Sequence, residues 1–331
     1  MKILVLQSDE MKEVLSMSEA IQADKDALAL YSAGKVTIPL RVNLDIPEQE
    51  GQSLYMPGYA ADAKALGVKI VSVYPRNIEK GLTSVPATMV LVDTETGQVC
   101  SIMDGTYLTQ LRTGAVAGAG TDLLAKQDAS VFTLIGTGGQ AETQLEAVLA
   151  VRPIKKVYVF DLNVERAECF AEKMSELYGE KYQTVIEATP HLEEAIRESD
   201  VITSVTTSPV KTFDGKWVKP GAHINGVGSY TPQMAEIDPF VLQIAGKVYC
   251  DTTDALVESG DFTQAVEKNL YDAASVTGEL GDLLNGKTLG RESDEEITFF
   301  KTTGNAVLDI VTAQRIYEAA IKKEIGSSLE F

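Results

Sequence analysis

The feature that most constrains this chain is a glycine turn between a β-branched run and a helix, Ser130-Val-Phe-Thr-Leu-Ile-Gly136-Thr-Gly138-Gly139-Gln140-Ala141. It fits Gly-x-Gly-x-x-Ala in the strand-to-helix context that gives the pattern its physical meaning. Gly136 permits the tight turn, Gly138 lets a pyrophosphate approach the main chain, and Ala141 keeps helix and strand close. The free N–H groups of the new helix then hold the phosphates, helped by its dipole. The next apolar run, Val157–Phe160, ends in Asp161, 25 residues after Gly136. An acid there accepts hydrogen bonds from an adenosine ribose and repels a 2′-phosphate, so NAD is favoured over NADP. NADP stays the alternative, because Arg166 follows five residues later. A glycine-rich surface turn with an incidental aspartate is the bland explanation. It does not account for strand, helix, second strand and terminal acid all being in place.

From about residue 129 short apolar strands alternate with helices, the pattern of a parallel α/β sheet. The expected strands are 130–135, 156–160, 184–188, 201–205, 223–227 and 247–250, with Asn163 capping the helix that begins at Val164. Residues 1–112 read as mixed α+β instead. An amphipathic helix spans Met17–Tyr31, and strand-like runs fall at 36–44, 53–57, 67–73, 87–93 and 99–103. A last helix, Asn305–Ile325, lies beyond the nucleotide unit and is expected to return to the first domain. The fold class is therefore α/β: a doubly wound Rossmann domain over 113–304, and a discontinuous α+β domain formed by 1–112 and completed by 305–331.

Composition narrows the partners. Lys and Arg total 29 against 48 Asp and Glu, a net charge of −19 that repels phosphate backbones and anionic membranes. No nucleic-acid or membrane partner is expected. Cys100, Cys169 and Cys250 form no CxxC pair and no cluster with His191 or His223, so neither a disulfide framework nor a metal site is expected. The apolar run Ile3–Leu6 is too short for a secretion signal, and the expected location is cytoplasmic. So acidic a chain must concentrate cations locally to hold an anionic substrate. The first domain has three arginines, Arg41, Arg76 and Arg112. Arg41 stands within the apolar run Ile38-Pro-Leu-Arg-Val, and Lys69 within Gly67-Val-Lys-Ile-Val. Guanidinium groups suit a carboxylate bidentately and an ammonium adds a point charge. Taken singly, each is better read as a structural ion pair with one of the 48 acids.

These cations stand in segments that resemble the ornithine cyclodeaminase/mu-crystallin family, which includes alanine dehydrogenases and ketimine reductases. The matching stretches include Tyr55-Met-Pro57, Gly67-Val-Lys69, Tyr74-Pro-Arg-Asn77, Asp104-Gly-Thr through Arg112-Thr113, Ile135-Gly-Thr-Gly-Gly-Gln-Ala141, Ile224-Asn-Gly-Val-Gly228 and Lys301-Thr-Thr-Gly-Asn305. The resemblance implies that the discontinuous domain binds substrate and mediates homodimerisation. It also implies that Arg41, Lys69 and Arg112 hold a small substrate's carboxylate, with Ser84 at the position of a family threonine. Thr113, Val205, Thr206 and Gly228 would line the dinucleotide beside Gly136, Gly138, Gly139, Gln140, Ala141 and Asp161. Lys69 is the candidate catalytic residue; a water held by Tyr230 is the other candidate proton source.

Two positions depart from the cyclodeaminases of that family. Where they carry a glutamate two residues before Met-Pro, this chain has Leu54. Where they carry an acid after the Asn-x-Val-Gly turn and a lysine four residues on, it has Tyr230 and Met234. The first reading is an NAD(P)-dependent oxidoreductase that reduces the imine of a small 2-oxo acid, either a cyclic ketimine or an oxo acid with an amine. The second is ornithine cyclodeaminase, an ammonia lyase that uses NAD without net consumption. The third is a non-catalytic, dinucleotide-dependent small-molecule binder.

Overall fold

The computed structural model describes residues 2–330, and the chain packs as two compact units. One is Met1–Arg112 with Asn305–Phe331, and the other is Thr113–Gly304.

In the first unit, β1 (Lys2–Leu6), β2 (Val36–Thr37), β3 (Val42–Ile46), β4 (Gly51–Ala60), β5 (Ala65–Val73), β6 (Ala87–Val92) and β7 (Val99–Asp104) join a closing strand, Ser327–Glu330. The order across the sheet is closing strand, β1, β7, β6, β5, β4, β2, with β3 also on β4. β4 to β7 are mutually antiparallel, while β1 runs parallel to β7. Helix Ala306–Lys323 packs on β4, β5 and β6, and helix Met17–Ser32 packs on that helix. Both start at side-chain caps. Ser16 and Glu19 form a reciprocal box, and Asn305 Oδ1 accepts from Val307 N at 3.0 Å. Strand alternation decides what faces the helices. Along β5, Gly67, Lys69 and Val71 are buried on the helix side, while Val68, Ile70 and Ser72 point the other way.

The reading of residues 36–44 as one strand needs correction. Pairing stops from Ile38 to Arg41 and resumes at β3, because Pro39 has no N–H to give a ladder. Arg41 is half-buried in this connection rather than enclosed in an apolar strand.

In the second unit, β8 (Val131–Ile135), β9 (Lys156–Phe160), β10 (Val185–Ala188), β11 (Val201–Ser204), β12 (His223–Gly226), β13 (Lys247–Cys250), β14 (Gly278–Glu279) and β15 (Thr298–Lys301) form one sheet. All its pairings are parallel, in the order β10-β9-β8-β11-β12-β15-β13-β14. Apolar clusters around Phe132, Leu134 and Val148, and around Ile202, Ile224 and Phe299, bury the sheet. The chain winds outward from β8 to β10, then returns to lay β11 on the other side of β8. Ligands of doubly wound sheets bind beyond the strand ends at this reversal. β15, not anticipated from the sequence, sits between β12 and β13.

Candidate active site

The glycine turn lies at the reversal. Gly136 follows β8 with φ +101°, a conformation that side chains rarely adopt, and its N–H donates to Phe160 O at 2.8 Å. A Cβ there would stand 2.8 Å from Val205 O, so the turn also lies against the segment that leaves β11. A Cβ on Gly138 would meet nothing within 4 Å, which leaves its main chain open to a ligand. Gly138 and Gly139 are exposed, and Gln140 precedes the helix Ala141–Val151, whose first residue is buried. Thr113 O accepts from Gln144 Nε2 at 2.8 Å, tying the helix Gly105–Leu124 to the turn's helix. An exposed main chain at the start of a helix fits a pyrophosphate.

Asp161 stands at the end of β9. Its Oδ2 accepts from Thr137 N at 3.1 Å and Thr137 Oγ1 at 2.7 Å, and its Oδ1 accepts from Asn163 N at 3.0 Å. Partial burial raises its pKa, but the hydrogen bonds from Asn163 and Thr137 outweigh that and hold it below the usual value. It is a fixed anion with lone pairs left for ribose hydroxyls.

The cations of the first unit converge on a residue the sequence reading missed. Lys69 Nζ donates to Asp309 Oδ1 at 2.7 Å, and Arg112 Nε lies 2.9 Å from the same oxygen. Lys69 and Asp309 side chains are 1% and 0% exposed, and Arg112 is 7% exposed. Two buried cations thus share one carboxylate. Arg112 Nε and Nη1 and Asp309 Oδ2 are buried with no aligned hydrogen-bond partner. Behind them lies Asp24, fully buried, with Oδ1 accepting from Thr312 Oγ1 at 2.9 Å. Burial pushes Asp24 well above the carboxylate range, with Asp309 pushing the same way and Arg112 opposing. Burial lowers Lys69 to about 8, against the pull of Asp309 and with further repulsion from Arg112 and Arg41. Two cations on the one carboxylate of Asp309 suit an arriving carboxylate. The signal in the sequence was a lone aspartate in the apolar run Ala306-Val-Leu-Asp-Ile-Val.

The remaining candidates differ in kind. Arg41 acts on Lys69 through its charge. Ser84 lies in the loop between β5 and β6, where Ser84 O accepts from Tyr74 N at 2.8 Å. No hydrogen bond among the described residues joins its hydroxyl to the cation cluster. Arg76 is an exposed ion pair with Glu50, as the structural reading had it. Neither histidine hydrogen-bonds to the cation cluster among the described residues. His191 is exposed before a short helix, and burial pushes His223, held between Thr298 and Asn225, down to about 3.

The model of the ornithine cyclodeaminase/mu-crystallin family matches residues 1–324. The chain belongs to that family. A Delta(1)-pyrroline-2-carboxylate reductase of Bacillus cereus is 37% identical over 330 residues, 99% of this chain and 100% of that protein. Among solved structures, the Thermococcus litoralis Delta(1)-pyrroline-2-carboxylate reductase in complex with NADH and L-proline superposes with a TM-score of 0.92. It is 37% identical, covering 98% of this chain and 99% of that one. An archaeal alanine dehydrogenase dimer with bound NAD has a TM-score of 0.90 and 36% identity, over 100% of both chains. This member of the family is thus similar to proteins named for dinucleotide-dependent redox chemistry on imino and amino acids. No helix of the described residues is long and apolar enough to cross a membrane.

Proposed function

We propose that the protein is an NAD-dependent oxidoreductase that reduces the imine of a small 2-oxo acid to the amino acid, with Δ1-pyrroline-2-carboxylate as the preferred substrate. The observation that carries the reading is the pair of buried cations, Lys69 and Arg112, on the single carboxylate of Asp309. Arg112, whose Nη1 is buried without a hydrogen-bond partner among the described residues, takes the substrate carboxylate with help from Arg41. NADH, which the Gly136 turn and Asp161 would hold, would supply the hydride. Lys69, held by Asp309 and titrating near 8, donates the proton to the imine nitrogen. The surroundings are apolar: Met56 faces Lys69 across the ladder, and Met56, Val71 and Ala306 pack with Ile38, Leu54 and Ala87. That setting suits ring methylenes.

Following NADH oxidation with Δ1-pyrroline-2-carboxylate, and with pyruvate plus ammonia, tests the reading directly. The cyclic imine should give the higher kcat/KM. Turnover with neither substrate would leave a non-catalytic binder as the better description. NADPH should serve less well, because its 2′-phosphate meets the fixed anion of Asp161. Like charges near a surface cost about 1–4 kcal/mol at contact, so the preference for NADH should be roughly fivefold or more. Equal or better use of NADPH would assign Arg166 to the phosphate.

We also infer a homodimer built on the open face of the first unit's sheet. A solvated antiparallel face normally alternates to polar residues. Here Val68, Ile70, Val90 and Ile102 point away from the helices, and Ile70 is 36% exposed. A second copy covering this face explains the pattern, and the archaeal relative with the same fold is a dimer. Sedimentation should give twice the chain mass, and Ile70→Lys should shift the equilibrium toward monomer. A monomeric wild type would remove the inference.

A further inference from the structure

The carboxylate of Glu236 belongs neither to the glycine turn nor to the cation cluster, yet it holds main chain at the ends of two adjacent strands. Its Oε1 accepts from Thr206 N at 2.5 Å and from Ser204 Oγ at 2.8 Å, and its Oε2 accepts from Ser229 N at 2.9 Å. Thr206 follows β11 and Ser229 follows β12. The two segments are in close contact: a Cβ on Gly228 would stand 2.0 Å from Thr206 O and 2.6 Å from Glu236 Oε2. Glu236 is itself pinned, its N–H donating to Asp261 Oδ1 at 2.7 Å and its carbonyl accepting from Thr212 N at 2.8 Å. The other oxygen of Asp261 lies 2.8 Å from Lys301 Nζ at the end of β15, and all three charged residues are 0–1% exposed.

Two carboxylates and one ammonium in a protein interior are costly, and well-packed apolar side chains would often stabilise as much or more. Burial pushes the Glu236 carboxyl up, Lys301 pulls it down, and Asp261 pushes it up again. What the cluster provides is direction. Its hydrogen bonds converge on the segments that face the reversal, beside the Gly136 turn.

We propose that Glu236 is a positioning residue, which braces Val205–Thr206 and Gly228–Ser229 into one rigid wall for the nicotinamide half of the dinucleotide, while Asp261 and Lys301 hold Glu236 in place. This rests on the NAD-dependent reading above and assigns a division of labour within it. The glycine turn and Asp161 serve the adenosine diphosphate half, and the braced segments serve the nicotinamide half.

Glu236→Gln tests the assignment, since the amide keeps one acceptor but turns an N–H toward one of the two main-chain donors. Calorimetric titration of the variant with NADH and with ADP-ribose, which lacks the nicotinamide, separates the halves. An unmatched buried donor is expected to weaken NADH about tenfold, with ADP-ribose changed less than twofold. In turnover, kcat should fall while the KM for the imine holds. Equal weakening of both ligands, or of neither, would overturn the assignment, because a merely structural role has no means of telling them apart. If the glutamine variant does not fold, Ser204→Ala removes one donor and leaves the charge. It should shift the NADH to ADP-ribose affinity ratio about threefold the same way, and an unchanged ratio would be fatal. The two affinities are read without catalysis. A wild type that bound both ligands but reduced no imine would refute the proposed function and leave this comparison intact.

Discussion

Lys69→Met is expected to lower kcat/KM for imine reduction by about a thousandfold or more, with NADH affinity unchanged within about twofold. A charge-assisted contact to the substrate accounts for about 1.5–3 kcal/mol, and a positioned general acid for a further 10²–10⁴ in rate. Folding should survive, since Asp309 keeps Arg112 2.9 Å away as its counter-charge. The pH profile separates proton donation from simple charge. Lys69 titrates near 8, so its ammonium fraction falls as pH rises through that value. Reduction should therefore decline on the alkaline side, and oxidation of the amino acid, which needs the neutral amine as base, should rise there. The limb in kcat/KM reports the free enzyme. A bound substrate carboxylate favours the ammonium, so the limb in kcat should lie higher. In Lys69→Met the limb near 8 should vanish and any limb set by the substrate should stay. A variant with wild-type kcat/KM would return Lys69 to the role of a buried ion pair.

The parallel sheet and its glycine turn were legible because their signals are local. A β-branched run, Gly136, Gly138 and Ala141 lie within one strand-turn-helix, and Asp161 ends the very next strand. The cation cluster was half legible. Lys69 and Arg112 stood out as charges in apolar or small-residue surroundings. Their shared partner Asp309 is 240 residues from Lys69 in the chain and reaches it only because helix Ala306–Lys323 packs on β5. Arg41 misled for the opposite reason: the apolar neighbours suggested a strand, and Pro39 had already broken it. β15 escaped notice as a short run, Thr298–Lys301, after a loop, although it pairs on both edges. Its Lys301 is a charge inside an apolar strand, the same signal that marked Lys69, and it points to Asp261 and the Glu236 brace. Buried charges in apolar runs therefore marked both clusters, but only the tertiary structure says which carboxylate each one meets.

Ornithine should not be converted efficiently to proline by this protein, even with NAD bound. The conversion oxidises the α-amine, closes the ring through the δ-amine, expels ammonia and then returns the hydride. Ring closure and ammonia loss each move protons, so positioned acid–base groups with suitable pKa values are required. The cyclodeaminases that this chain resembles carry carboxylates where it has Leu54 and Tyr230. Leu54 packs with Met56, Val71 and Ala306 and has no proton to give or take. Tyr230 is 39% exposed, and partial burial pushes its phenol further above neutrality, which makes it a worse base. The nearby acids do not substitute. Asp309 is held between Lys69 and Arg112, and Asp24 lies fully buried with its Oδ1 accepting from Thr312 Oγ1. The apolar side chains packed around Leu54 also disfavour the δ-ammonium. In the proposed mechanism, reducing a preformed imine needs only the clamp, the hydride and one proton. With one acid–base step unassisted, ornithine turnover should be at least about a hundredfold slower than imine reduction. Proline and ammonia measured together, after incubation with ornithine and NAD, decide the matter. Stoichiometric release of both at the rate of imine reduction would make the protein a cyclodeaminase, and would mean that Asp309 or Asp24 exchanges protons despite its surroundings.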